Sequence, residues 1–331
     1  MSRTASNFAL ALLIAAASVP PAAAQDKIRI AGNFATEHSS SIAMEQVFKA
    51  ELGRLTGSRL AVDIFPAMQL GGAKENVDAV RSGSLFMTWV GAAFLTRIVP
   101  ELEAVSLPFL FPSREAAFKT IDGPVGQLLD QKLGDKGFIS LGWMELGSRH
   151  VTNKVRPIKS VADLKGLKIR LQPNETHLAT FRALGANPVA MDVKELYSAL
   201  EQGVVDGQEN PYAIIQAGRY GEVQKYLSNT GHFFDFIAVV ANRKQFQALS
   251  PEYQQAVSGA MSAAIAHQRK LAVELDNKAL DELKKKMQYD PLSPQAMEEM
   301  RAATVPVIEQ VKKRAGAELV ERVVAEAHKV R

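Results

Sequence analysis

The stretch KIRIAGNFATEHSSSIAMEQVFKAELGRLTGSRLAVDIFPAMQLGGAKENVDAVRSGSLFMTWV, residues 27–90, decides the fold. KIRIAGN (27–33) alternates charged and apolar residues, as a strand does. In HSSSIAMEQVFKAELGRLTG (38–57), Ile42, Val47, Phe48, Leu52 and Leu55 recur near a period of 3.6. Serines open that segment and Gly57 closes it, which predicts a helix with both of its stop signals. RLAVDIF (59–65) is a strand ended by Pro66, a short helix follows at 73–81, and LFMTWV (85–90) is a buried strand. The order β-α-β-α-β predicts a parallel sheet flanked by helices.

The same grammar continues. FISLGW (138–143) and LKIRL (167–171) read as strands, while NETHLATFRALGA (174–186) and DVKELYSALEQG (192–203) read as helices. LSNTGHFFDFIAVVA (227–241) reads as a long strand able to cross between domains. From 252 to 287 no proline interrupts the chain, and Val257, Met261, Ile265, Leu271, Leu275, Leu280 and Leu283 form an apolar stripe. A continuous helix there spans roughly 54 Å at 1.5 Å per residue, more than one small domain. A break near Gly259 is the alternative, given glycine's helix cost of about 1 kcal/mol. No internal repeat or low-complexity stretch stands out.

Composition bounds the rest. Arg3 is followed by an apolar run at 8–19 and by AAAQ at 22–25, the layout of an export signal cleaved after Ala24. The run is too short for a span; a retained anchor is the competing reading. There is no cysteine, so neither lipid attachment nor a disulfide framework is expected. Without residues 1–24 the chain has 307 residues with 38 basic and 35 acidic groups, or +3. That length suits two domains, and so weak a field gives no reason to expect a nucleic-acid partner.

Signatures of catalysis are missing: no G-x-S-x-G, no H-E-x-x-H, no phosphate-cradling glycine loop. Histidines at 38, 150, 177, 232, 267 and 328 have no metal-ligand spacing, so neither a metal nor a cofactor is expected. VVDGQENPY (204–212) reads as a tight polar turn in which Asp206 and Glu209 could form an acid/base pair, a clamp or a solvated turn. Arg170 sits among alternating apolar residues in LKIRLQPN. A buried guanidinium needs a fixed anion, either a protein carboxylate or one from solution.

The run 147–212, with DLKGLKIR and DGQENP in it, resembles the solute-binding proteins of tripartite ATP-independent periplasmic (TRAP) transporters, of the C4-dicarboxylate-binding type. FPAMQLGG (65–72) and EVQKYLSNTGH (222–232) fit the same family, so the resemblance covers nearly the whole mature chain. It implies an α/β, two-domain periplasmic-binding-protein-like fold with crossing hinge strands and a long domain-spanning helix. The corresponding domains are 25–146 with 236–275, and 147–235 with 276–331. It also implies that a ligand carboxylate meets Arg170, Arg149 and Asn210, while Asp206 and Glu209 hold the turn. Trp89, Tyr212, His38, Glu75 and Phe234 are further candidates, against packing, capping or solvent-facing roles for each. Small residues in WVGAAF (89–94) and Val193 depart from sialic-acid-type relatives.

The expectation is a periplasmic, monomeric receptor for a small organic acid that serves TRAP membrane subunits and catalyses nothing. A sensor receptor docking on a signalling partner, an enzyme using Asp206 and Glu209, and a metal bridging a keto acid are the competing readings.

Overall fold

A computed structural model describes residues 26–329. The expected export signal at 1–24 lies outside the described residues. Nine strands form one sheet: β1 (Asp26–Gly32), β2 (Leu60–Phe65), β3 (Met87–Gly91), β4 (Phe138–Asn153), β5 (Lys168–Leu171), β6 (Asn187–Ala190), β7 (Gly207–Asn210), β8 (Tyr226–Asn242) and β9 (Gln288–Pro291). Their order is β2-β1-β3-β8-β4-β7-β5-β6, with β9 beside β8. β1 is parallel to β2 and β3, and β5 is parallel to β6 and β7. The antiparallel β4–β8 pair joins these two parallel trios. This is a two-domain α/β fold with crossing strands.

β4 and β8 have 16 and 17 residues. At about 3.3 Å per residue each exceeds 50 Å, so one pair serves both domains. Their register slips between Ser140 and Gly142, Glu145 and Gly147, and Arg149 and Val151. Gly142 (φ 123°) and Gly147 (φ 112°) take backbone angles that L side chains resist. Such bulges bend and twist a strand pair where it crosses.

The long helix Pro251–Lys286 runs unbroken through Gly259 over 36 residues, with Ser250 as N-cap and proline at its first turn. Near its start, Ala256, Val257, Ala260, Met261 and Ala264 pack into the core around β1 and the helix after it. Near its end, Ala279 and Leu283 pack with Leu196, Leu200 and Leu227 in the other half. The helix therefore ties both cores together. Several of its most buried positions are alanines, whereas Leu271, Leu275 and Leu280 are half-buried. Small side chains allow the close approach to the strands.

The reading of VVDGQENPY as a turn is corrected. Gly207–Asn210 is strand β7, fully buried and paired with both β4 and β5. The helix at 38–57 begins at Ser39 with His38 as its cap and contains a π-turn at Met44–Phe48. FISLGW is only the first part of β4.

Candidate functional site

A cavity of about 250 Å³ lies between the two parallel trios. Asn33, Phe34, His38 and Gly91 line it from the β1–β3 side, and Arg170, Gln172, Lys194, Asn210 and Tyr220 from the other. Asn33 and Gln172 stand one residue past the ends of β1 and β5. Ligand sites in α/β sheets gather at those carboxyl ends.

Arg170 is held mid-sheet, opposite Gln208 of β7 and Val189 of β6. It is 1% exposed. Its Nε and Nη2 donate to the carbonyl of Met191 at 3.0 and 2.8 Å. Among the described residues no carboxylate lies within ion-pair distance, and burial pushes its pKa down. A guanidinium so placed is a desolvated cation with an unused charge.

Arg149, on β4, is the opposite case. It is fully buried, and it binds Glu209 through Nε at 2.5 Å and Nη2 at 2.8 Å, with Asp235 at 3.3 Å from Nη1. Burial would lower its pKa, but the two carboxylates outweigh that and raise it. Burial likewise opposes the charge of Glu209, and Arg149 and His232 hold its carboxyl far below the usual range. His232 contacts Glu209 at 3.1 Å and His177 lies 3.5 Å from Asp235, completing a buried ionic group. Arg149 does not line the cavity.

Asn210 connects the two regions. It lines the cavity, accepts from Arg149 Nη2 at 3.1 Å and donates to Gln208 at 2.6 Å. Gln172 does similarly: its Nε2 donates to Asp235 at 2.9 Å, which leaves its oxygen free of protein donors among the described residues. His38 stacks on Phe34 at 4.7 Å and bonds Ser40 through Nδ1 at 2.8 Å; burial pushes its pKa down to about 4, so it is neutral.

The other predicted residues lie elsewhere. Trp89 is wholly buried in the core beneath Gly32, where a Cβ would stand 2.2 Å from the indole. Tyr212 stacks flat on His150, centroids 4.1 Å apart. Glu75 is half exposed and pairs with Lys194 at 2.6 Å, across the rim of the cavity. Phe234 packs edge-on against Phe111, Phe118 and Phe236, beside a different cavity. The structure thus brings Arg170, Asn210 and His38 together and leaves Arg149, Trp89, Tyr212, Glu75 and Phe234 outside the lining. Asn33, Gln172, Tyr220 and Lys194 were missed. The strand-end rule marks the first two.

The model of the bacterial extracellular solute-binding protein family 7 matches residues 30–314, and the chain belongs to that family, the periplasmic solute-binding proteins of TRAP transporters. The 2,3-diketo-L-gulonate-binding periplasmic protein of Escherichia coli is 37% identical over 271 residues, 82% of each chain. The sugar acid binding protein of Advenella mimigardefordensis, solved in complex with galactonate, superposes with a TM-score of 0.90 at 33% identity, over 92% of this chain and 98% of that one. A TRAP solute-binding protein from Sulfurospirillum deleyianum with bound succinate superposes with a TM-score of 0.87 at 28% identity, over 91% and 99%. Among the described residues no helix is long and apolar enough to cross a membrane.

Proposed function

We propose that this protein is a periplasmic receptor that captures the carboxylate of a small organic acid on Arg170 and presents the closed complex to TRAP membrane subunits. One observation carries this reading: Arg170 is a buried cation with no carboxylate within ion-pair distance among the described residues, in the wall of a cavity between two domains. A ligand carboxylate would supply the missing charge through parallel charge-assisted bonds, in a site from which water is largely excluded. The acids named for the relatives, diketogulonate, galactonate and succinate, all carry that group. A volume of 250 Å³ is below the about 300–1,000 Å³ of sites for drug-sized ligands and suits a small acid.

In this reading Asn210 is a second contact and Arg149 acts through it, holding the amide from behind while Glu209 and Asp235 neutralise the guanidinium. Residues 1–24 are removed on export. Residues 25–146 with 236–275 close against 147–235 with 276–331, bending where β4 and β8 cross.

Thermal unfolding of the refolded, ligand-free protein against a panel of organic acids tests the assignment. A ligand at 100 times its Kd adds about 2.7 kcal/mol of stability, enough to see as a raised midpoint. Arg170→Ala is expected to lose about 2–5 kcal/mol of affinity for the acid that shifts wild type. Equal shifts in wild type and Arg170→Ala would remove Arg170 from the site.

A further inference from the structure

Apart from Arg170, the cavity wall is rich in uncharged hydrogen-bonding groups that the protein leaves unpaired. Asn33 is 7% exposed and lines the cavity, and its buried amide oxygen has no hydrogen-bond partner among the described residues. A buried, unpartnered amide oxygen is costly unless a ligand donates to it. Gln172 has its nitrogen committed to Asp235, so its oxygen is what remains to bond a ligand. Tyr220 and His38 line the same space, and neither the Tyr220 hydroxyl nor His38 Nε2 has a partner among the described residues.

Charges are few by comparison. Arg170, Lys194 and His38 are the lining residues able to carry a positive charge. Lys194 is already bound to Glu75 at 2.6 Å, and Asp192 lies close to it as well. His38 is neutral, its pKa pushed down to about 4 by burial. One unpaired cation therefore faces a set of neutral acceptors and donors.

From this we infer that the receptor selects a polyhydroxylated monocarboxylate over a dicarboxylate, with Asn33 and Gln172 reading the hydroxyl groups. The inference rests on the Arg170 reading and deepens it. A carboxylate has no hydrogen to give Asn33 or Gln172, and a second one would enter the site without a free cation to meet it. A hydroxyl both donates and accepts, so a chain of hydroxyls satisfies amide oxygens, amide hydrogens and the neutral imidazole together. Sites built to bond a substrate hydroxyl reject analogues that lack it by large factors.

Five acids of six carbons or fewer separate these terms. D-galactonate and D-gluconate carry one carboxylate and five hydroxyls. Galactarate keeps the chain but ends in two carboxylates, hexanoate keeps the carboxylate without hydroxyls, and succinate is a dicarboxylate with none. Calorimetric titration of the ligand-free, full-length mature protein is expected to show the better hexonate binding at least 100-fold tighter than galactarate, hexanoate and succinate. Asn33→Leu is expected to weaken that hexonate at least tenfold, with the unliganded melting midpoint recorded to confirm folding. A smaller ratio for any of the three comparison acids overturns the inference, as does absence of hexonate binding. If succinate or galactarate binds tightly and Arg170→Ala abolishes it, the receptor reading stands and the hydroxyl selectivity alone fails.

Discussion

Arg149 on β4 and Arg170 on β5 are both buried arginines on the two strands that flank β7, and their surroundings are opposite in charge balance. Arg149 is matched by Glu209 and Asp235 at 2.5 and 3.3 Å, so its charge serves the fold. Among the described residues Arg170 bonds only the Met191 carbonyl, so its charge is held against a desolvation cost, which the proposed ligand carboxylate would relieve. Removing one partner of a buried pair strands the other. Glu209→Gln is therefore expected to cost about 3 kcal/mol of stability, read from the urea midpoint. Arg170→Ala should leave the unliganded protein as stable as wild type or more so, although it is expected to lose about 2–5 kcal/mol of affinity. A large loss of stability in Arg170→Ala would show that the guanidinium is structural. The sequence marks Arg170 as a buried cation in need of an anion and points to Arg149 only through the family resemblance, and the anions of Arg149 come from positions 60 and 86 residues further along the chain. No local pattern gives such distant partners.

At the scale of elements, regular periodicity was readable and polar strands were not. The β1–β3 unit and the long helix follow apolar patterns that one face of each element must bury. β7 escaped because its residues Gln208, Glu209 and Asn210 are polar. They can be buried only because Thr152, Arg149, His232 and one another satisfy them. Hydrophobic spacing is blind to a strand whose interior is paid in hydrogen bonds. The long helix poses the converse question at Gly259, which the chain tolerates without a break. A Cβ there would meet only Leu55 at 3.6 Å, an ordinary contact, and the site is exposed. Gly259→Ala is expected to stabilise the protein by about 0.5–1 kcal/mol, through helix propensity and a less mobile unfolded chain. A lower unfolding midpoint in that variant would mean the helix needs glycine's freedom there, for instance to bend as the domains move.

For the whole molecule, the question raised by the proposed receptor function is what would hold the two halves together around a ligand. Glu75, on the helix Ala73–Ser82 beside the β1 trio, reaches Lys194, which follows β6 in the other trio. Gly72 lies so near Asp192 that a Cβ would stand 2.8 Å from its carboxylate. These contacts bridge the rim, and the ion pair is half exposed, with side chains 51% and 38% accessible. Such a pair is worth about 0–1 kcal/mol and is screened by salt. Glu75 does not line the cavity, and Gln retains an oxygen to accept from the Gly72 amide that Glu75 now caps. In Glu75→Gln, ligand dissociation is therefore expected to quicken by no more than about fivefold at low ionic strength. At about 1 M salt, where the Debye length falls to about 3 Å and exposed ion pairs are weakened, the difference from wild type should shrink. Stopped-flow release at both ionic strengths separates this latch from the other duty that the sequence leaves open for Glu75. A carboxylate that accepts ligand hydroxyls directly would lose far more affinity on substitution, and the loss would persist in high salt because the contact would be desolvated in the closed form.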